Sequence, residues 1–522
     1  MNNQNNKSAN AAEKETPISS DLEHNLKLIA EELGTEPDIV VRELHLFAST
    51  RAAVLSIAGL TDTAAVNFLV RSMLADQPDG SNALAEGDPF QTLLYRTLAT
   101  GSVRKLEFMD GIYCAMLEGL TVILLDGCNQ AIAANTHGGE KRGVEEPSTQ
   151  TVVRGPKEGF AESIMTNIAL VRNKIKSTNL RVEYKIIGRE TRTTVAIAYM
   201  KGIAANSVVQ EIHRRLDDID TDSILESGYI EEFLLDKTYT PFPLIQNSER
   251  PDAIAASLLE GQVAILVDGT PFVLLAPVTF VKFFQSSEDY YQSYDIATFL
   301  RLIRFVSFFV SMLLPALYIA ITTFHQEMLP TPLLISIAAQ REGVPFPAII
   351  EALLMEITFE ILREAGVRMP RIIGPAISIV GALVLGQSAV QAGLVSAAMV
   401  IVVSFTAIAT FVIPSVNMGT SARLIRFTMM ILGGTFGVFG IMAGLMILLT
   451  HLSGLRSFGI PYLTPISPLV KGNLKDVFVR VPWWAMNKRP GLYKIPGSRR
   501  QGTPKRNSDR GDRSGGQEGG RE

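Results

Sequence analysis

Cysteine is almost absent: Cys114 and Cys128 are the only two in 522 residues. Two thiols at that spacing make neither a disulfide framework nor a metal-ligand set, and both read as reduced packing residues. Histidine is also scarce. The six, at positions 24, 45, 137, 213, 325 and 451, are scattered, and none has a second ligand at metal-binding spacing, so no metal or cofactor is expected. The chain lacks GxxxxGK[ST], GxGxxG after a strand, HExxH and GxSxG, the usual sequence grounds for a nucleotide-binding or catalytic domain. No catalytic residue is assigned and no enzyme is expected. Charge bias is lacking too. The 48 Lys and Arg against 52 Asp and Glu leave a net charge of −4, which gives no basic face for nucleic acid. Finally, the first twenty residues have no apolar h-region, which excludes a signal peptide and leaves the polar N-terminal half on the cytoplasmic side.

What is present is a division of hydropathy. The mean hydropathy of +0.21 averages a mixed first half and a second half that holds the long apolar runs. Residues 305–324 are 20 without a charge, and about 20 residues cross a ~30 Å hydrocarbon layer. Arg301 and Arg304 stand just before this run and mark its inner end. Residues 372–422 carry no ionisable group until Arg423, a length that fits two spans, near 372–386 and 392–413. Residues 427–450 form a further uncharged run. Gly433, Gly437, Gly440 and Gly444 within it contain GxxxG spacings that allow close helix approach, either within one chain or between subunits. The 346–364 segment is unlike the others. Glu356, Glu360 and Glu364 lie four apart on one helical face, with Glu351 ahead of them. Such a helix either lies at the membrane surface or turns its acids to a bundle interior or water, because a mid-membrane charge facing lipid costs about 2.5–3.5 kcal/mol. Glu351, Glu356 and Glu360 are therefore the candidate ion-path residues. Counting spans leaves the side of the basic stretch after Lys471 open.

The N-terminal half repeats itself at a constant offset of 142 residues. LEGLTVILLDG from Leu117 returns as LEGQVAILVDG from Leu259, and Val66, Val70 and Leu74 return as Val208, Ile212 and Leu216. Each copy reads as a strand (Val54–Ala58, Val195–Tyr199), a helix (Asp62–Leu74, Asn206–Leu216), a second helix ending at Leu-Glu-Gly, and a hairpin at Asp126-Gly127 or Asp268-Gly269. The two aspartates read as turn residues rather than as a carboxylate pair. Arg154 and Lys157, in RGPKEGF, are expected to open a helix running toward Lys176. There they would dock a subunit or the membrane surface, or bind an anion. The fold class is thus α/β plus membrane all-α: two tandem duplicated α/β subdomains followed by a polytopic transmembrane helix bundle. Its expected parts are a disordered leader at 1–21, subdomains at 22–137 and 150–290 joined by a linker at 138–149, a bundle at 291–455, a membrane-proximal segment at 456–496 and a disordered tail at 497–522.

Four runs also carry a family resemblance: VVRGPKEGFAESIMTNIALVRNKIK at 152–176, HQEMLPTPLL at 325–334, REGVPFPAIIEALLMEITFEILREAGVRMP at 341–370 and GPAISIVGALVLGQSAVQAGLVS at 374–396. Together they make the chain resemble the A subunit of the GerA family of spore germinant receptors over roughly residues 22–470. The resemblance implies a multi-pass protein of the inner spore membrane with its N-terminal domains on the core side. It implies a transporter-like B subunit and a lipoprotein C subunit as partners, self-association into a homo-oligomer, and a nutrient-gated ion channel that releases cations. Two other functions stay open at this point, a non-conducting scaffold and a secondary transporter. The second is disfavoured because the repeat lies outside the membrane half.

Overall fold

The duplication seen in the sequence becomes two sheets of one topology. In the computed structural model, which describes residues 16–34, 37–46, 50–75, 89–98, 102–138, 146–147, 150–369, 384, 386–470, 474, 476–486 and 489, the chain forms two compact units. The first holds the residues up to Leu234 and Asn247–Pro277; the second holds Leu235–Gln246 and the described residues from Val278 onward.

In the first unit, copy one runs α1 (Leu22–Leu33), β1 (Ile39–Leu46), β2 (Thr50–Ile57), α2 (Thr63–Ala75), β3 (Val103–Leu106), α3 (Met109–Leu117), β4 (Thr121–Leu125) and β5 (Ala131–Ala134). Copy two runs α4 (Ile164–Lys174), β6 (Leu180–Ile187), β7 (Thr193–Met200), α5 (Asn206–Asp217), α6 (Ser227–Leu234), β8 (Gln246–Ser248), α7 (Pro251–Glu260), β9 (Val263–Val267) and β10 (Val273–Ala276). The sheet orders are β1-β2-β4-β5-β3 and β6-β7-β9-β10-β8, the same arrangement twice. β4, β5, β9 and β10 are buried at every residue. They read as continuous Val/Ile/Leu/Ala runs because they sit inside the sheet with both faces covered.

Each copy begins earlier than its sequence suggests, with a helix and an edge strand ahead of the first apolar strand. Residues 16–21 also belong to the fold rather than to a leader. Ile18 is buried, Pro17 bridges Phe108, and Asp21 caps α1 by accepting from the Glu23 amide at 3.0 Å. Residues 1–15, most of the 138–149 linker and the 497–522 tail lie outside the described residues.

The same polar joint is built in both copies. Asp126 Oδ1 accepts from the Leu22 amide at 3.2 Å, and Asp268 Oδ1 accepts from the Ile164 amide at 3.1 Å. The Gly127 and Gly269 amides donate to Ser20 and Glu162 carbonyls, each at 2.8 Å. Asn25 spans Ser19 with its amide group, and Asn167 spans Ala161 in the same way. So the Asp-Gly turns hold the start of each copy's first helix. Gly127 and Gly269 have φ of +83° and +90°, which a side chain would strain. Within this unit the copies are also pinned to each other by Asp38 and Arg172, paired at 2.6 Å with both side chains buried.

The second unit is helical: α8 (Tyr294–Phe324), α9 (Thr331–Arg341), α10 (Ala348–Arg368), α11 (Ala397–Phe411) and α12 (Val416–Gly454). Two of these, α8 and α12, are long and apolar enough to cross a membrane. α11 has 15 residues, and the expected span at 372–386 lies almost wholly outside the described residues.

The expected single span at 427–450 is not one straight helix. Gly437 has φ +63° and ψ −147° in the middle of α12, and three observations show that the chain reverses there. A Cβ on Gly440 would strike the Leu432 carbonyl, one on Gly444 would meet Met429 Sδ at 2.9 Å, and one on Gly433 would meet Ile441 Cδ1 at 3.4 Å. Those pairs run in opposite order, as they do between antiparallel helices. Independently, Ser421 Oγ donates to the Pro241 carbonyl while His451 Nε2 shares a 2.9 Å hydrogen bond with Thr240 Oγ1. In a straight helix residues 421 and 451 would stand about 45 Å apart. α12 is therefore a helical hairpin, 416–436 and 438–454, with its four glycines at the contact between the arms and Gly437 at the tip. A Cβ on Gly437 would also meet His325 Cε1 at 2.8 Å.

The arginines read as an inner flank of the first span are buried ion-pair partners. Arg301 Nη2 is 3.1 Å from Asp289 and its Nη1 2.9 Å from Asp476; Arg304 Nη1 is 2.6 Å from Asp289. Arg480 exchanges hydrogen bonds with Thr298. The 476–480 stretch thus lies at the N-terminal end of α8.

Candidate functional site

α10 carries its acids toward other helices. Its first half buries Ala348, Glu351, Ala352 and Glu356, while Ile350, Leu354, Ile357 and Ile361 are exposed. This is the reverse of a soluble amphipathic helix. It suits a segment whose outer face meets lipid and whose charges must find partners inside.

They find arginines. Glu356 Oε2 accepts from Arg426 Nη1 at 2.6 Å, and both side chains are buried, at 0% and 1% exposure. Glu360 Oε2 accepts from Arg423 Nη1 at 2.8 Å and is 3.4 Å from Arg363. Ile349 Cδ1 lies where a Cβ on Gly434 would fall. As the α10 numbers rise the α12 numbers fall, so α10 runs antiparallel to the first arm of α12, and the ion pairs form rungs between them. An open groove of about 680 Å³ follows the lower rungs, lined by Ile357, Ile361, Leu424 and Phe427 beside Glu360 and Arg423.

Arg426 joins four helices. Its Nε donates to the Ser311 carbonyl of α8 at 2.6 Å and its Nη2 to Thr410 Oγ1 of α11 at 3.0 Å. Ser311 is four residues before Pro315, which lies inside α8. Proline has no N–H, so the Ser311 carbonyl has no helical donor. The guanidinium supplies one. Arg426 thus satisfies a carbonyl that the sequence orphans, a carboxylate on α10 and a hydroxyl on α11 at once.

Glu351 is held otherwise. Its Oε1 accepts from the Ser396 amide at 2.6 Å and from Ser396 Oγ at 2.5 Å, at the N-cap of α11, and Arg341 lies 3.9 Å from its other oxygen. Each of the three candidate glutamates therefore stands beside an arginine, Glu356 and Glu360 facing α12 and Glu351 facing the ends of α9 and α11. Sequence reading found the acids and missed Arg341, Arg423 and Arg426. The signal was available: Glu356 and Glu360 lie one turn apart, and so do Arg426 and Arg423, in reverse order.

Arg154 and Lys157 are not in a helix. The helix starts at Ile164, and both residues lie exposed in the preceding extended stretch, because the proline and glycines of 154–159 do not propagate one. Arg250 fastens this stretch by donating to the Pro156 and Gln150 carbonyls at 3.1 and 3.3 Å. Lys157 is 3.4 Å from Glu146.

Comparison with known proteins bears on the whole chain. Residues 27–492 match the family model described as Bacillus/Clostridium GerA spore germination protein. The chain is similar to spore germination protein KA of Bacillus subtilis (strain 168), 48% identical over 498 residues, 95% of this chain and 91% of that one. It is similar to the uncharacterized membrane protein YfkQ of the same organism, 46% identical over 91% of this chain and 92% of the relative. Among solved structures it matches the N-terminal domain of the A subunit of the Bacillus megaterium spore germinant receptor GerK3, at 38% identity and a TM-score of 0.41, over 51% of this chain and 98% of that one. The chain belongs to the GerA family of spore germination proteins.

Proposed function

We propose that this chain is the membrane subunit of a nutrient germinant receptor of the inner spore membrane. It would act with a transporter-like B subunit and a lipoprotein C subunit, self-associate, and form a nutrient-gated ion path along α10. The observation that carries the reading is the pair of Glu–Arg rungs between α10 and the first arm of α12, Glu356–Arg426 fully buried and Glu360–Arg423 partly so. A cation path needs acidic groups inside an apolar bundle. Here each acid sits beside an arginine, so the ladder describes a closed path. Opening separates the rungs and frees Glu351, Glu356 and Glu360 to meet the ion. Nutrient binding at a partner would bias this two-state equilibrium. The placement of 476–480 at the start of α8 favours an even number of crossings, with both ends of the bundle on the core side. That topology also gives the basic tail the side that the positive-inside rule prefers. Arg154 and Lys157, exposed on a fastened loop, suit docking of a subunit or the membrane surface.

The test is nutrient-triggered cation release from spores carrying Glu356→Gln, Arg426→Gln, or the exchange Glu356→Arg with Arg426→Glu. The single changes are expected to alter release rate about tenfold or more, with the exchange recovering part of it. Release and ion selectivity unchanged in all three would remove the ladder from the path. A non-conducting scaffold would be indicated if the assembled receptor stays electrically silent in planar bilayers when nutrient is added.

A further inference from the structure

Eleven buried polar atoms of the second unit lack a hydrogen-bond partner among the described residues, and three of them meet at one place: Tyr318 Oη, Arg341 Nε and Glu351 Oε2. They come from α8, α9 and α10, and Ser396 at the start of α11 completes the cluster. Glu351 is 0% exposed. Its Oε1 is fully occupied by the Ser396 amide and hydroxyl, while Ser396 Oγ also accepts from the Met399 amide at 3.2 Å. The Tyr318 hydroxyl faces that of Ser396, with Glu351 and Arg341 as its charged neighbours. Arg341 Nε stands 3.9 Å from Glu351 Oε2, beyond hydrogen-bond reach.

The chemistry of these groups selects the occupant. A metal cation is opposed by the guanidinium, and an anion by the carboxylate. A neutral molecule that donates twice and accepts once satisfies all three: it donates to Glu351 Oε2 and Tyr318 Oη and accepts from Arg341 Nε. Two atoms 3.9 Å apart can each lie about 2.8 Å from one oxygen between them. Three hydrogen bonds is the usual complement of a buried water. We propose that Glu351, Tyr318, Arg341 and Ser396 form a binding site for one water molecule inside the bundle, and that this water joins α9 to α8, α10 and α11. α9 buries none of its own residues, and at its end Arg341 reaches this cluster through an exchangeable molecule rather than a direct ion pair. The site does not depend on whether the ladder conducts.

Radiolytic hydroxyl labelling of the full chain in lipid nanodiscs tests this, because X-ray-generated radicals arise at bound waters as well as in bulk. Tyr462 is the internal reference: it is 0% exposed and its hydroxyl donates to the Pro243 carbonyl. Tyr318 is expected to oxidise about tenfold faster than Tyr462, since it adjoins an ordered water. Glu351→Met, which keeps length and removes the acceptor, should bring Tyr318 down to the Tyr462 rate. Should Tyr462 itself accelerate in that variant, showing lost packing, Arg341→Met at the edge of the cluster replaces it. Equal rates for Tyr318 and Tyr462 in the unaltered chain overturn the proposal without any variant. So does rapid Tyr318 oxidation that persists in the variants while Tyr462 stays slow.

Discussion

The two units partner their carboxylates in opposite ways. In the α/β unit, Asp126 and Asp268 accept backbone amides within their own copy, at distances that agree within 0.1 Å. The partner is the chain itself, the bond is local to the fold, and the duplication preserved it. In the helical unit, Glu356 and Glu360 accept from side chains on another helix, and each keeps one oxygen unpartnered. A carboxylate bonded to backbone cannot change partner without unfolding. One bonded to a mobile guanidinium can. Under the proposed function the Glu356 and Glu360 pairs are the ones that exchange partners between two states, whereas the buried Asp38–Arg172 pair of the α/β unit holds its two copies together.

The contrast breaks most visibly at Arg426. Arg426→Leu leaves Glu356 buried without its cation and the Ser311 carbonyl without a donor. A destabilisation of about 3–5 kcal/mol is expected, read as a lowered unfolding midpoint in detergent. Adding Glu356→Leu should return most of it, because the uncompensated charge is the main cost. A double variant no better than the single would mean that the rung is not the main partner of Arg426.

Gly437→Ala comes next. It places a side chain at positive φ and against His325, and should cost about 1–3 kcal/mol, whereas a straight α12 would gain from alanine. The sign of that change, measured by thermal unfolding, therefore distinguishes a hairpin from a single span.

The scaffold side of the comparison is sharpened by Asn25→Ala and Asn167→Ala. Each removes the same pair of backbone contacts, so each should cost about 1–3 kcal/mol, and the two should agree closely. A wide disparity, by denaturant titration, would show that the two copies are not energetically equivalent.

Smallest is a pH effect. Glu231 on α6 is pushed up to about 7 by burial and then by Glu226. Its folded value thus lies above its unfolded one, so ionising it costs stability as pH rises from about 4.5 to about 7, and the cost is constant above that. Glu231→Gln should be stabilising by about 1 kcal/mol at pH 8 and neutral near pH 4, with the difference growing between. Glu211, pushed down to about 2 by hydrogen bonds from Arg214 and Arg215, has the opposite slope: its stabilisation is complete above about pH 4.5 and is lost toward pH 2.

Much of this was legible in the chain. The 142-residue offset located both sheets because β4 is apolar from Val122 on and β9 throughout, and each sits between a helix ending at Leu-Glu-Gly and an Asp-Gly turn. The leading helices and edge strands were not legible. β1 reads IVVRELHL, mixing charge into an exposed edge, and the Asn25 and Asn167 joint lies upstream of the apolar match. The acids of α10 stood out because charge is scarce in that half. Their partners were hidden by sequence distance: 70 residues separate Glu356 from Arg426. The hairpin was hidden for a different reason. An uncharged run long enough to span says nothing about direction, and only a glycine at positive φ with contacts running backward shows the reversal.

Under the proposed function the α10–α12 ladder is closed here and opens on activation. Spin labels at Ile361 and Leu424, both exposed on the groove, with Cys114 and Cys128 changed to serine, report the separation of the two helices by pulsed dipolar spectroscopy in receptor reconstituted with its partner subunits. Nutrient is expected to add a second, longer distance, greater by about 5 Å or more. A distance distribution that nutrient leaves unchanged, while cations flow, would contradict it.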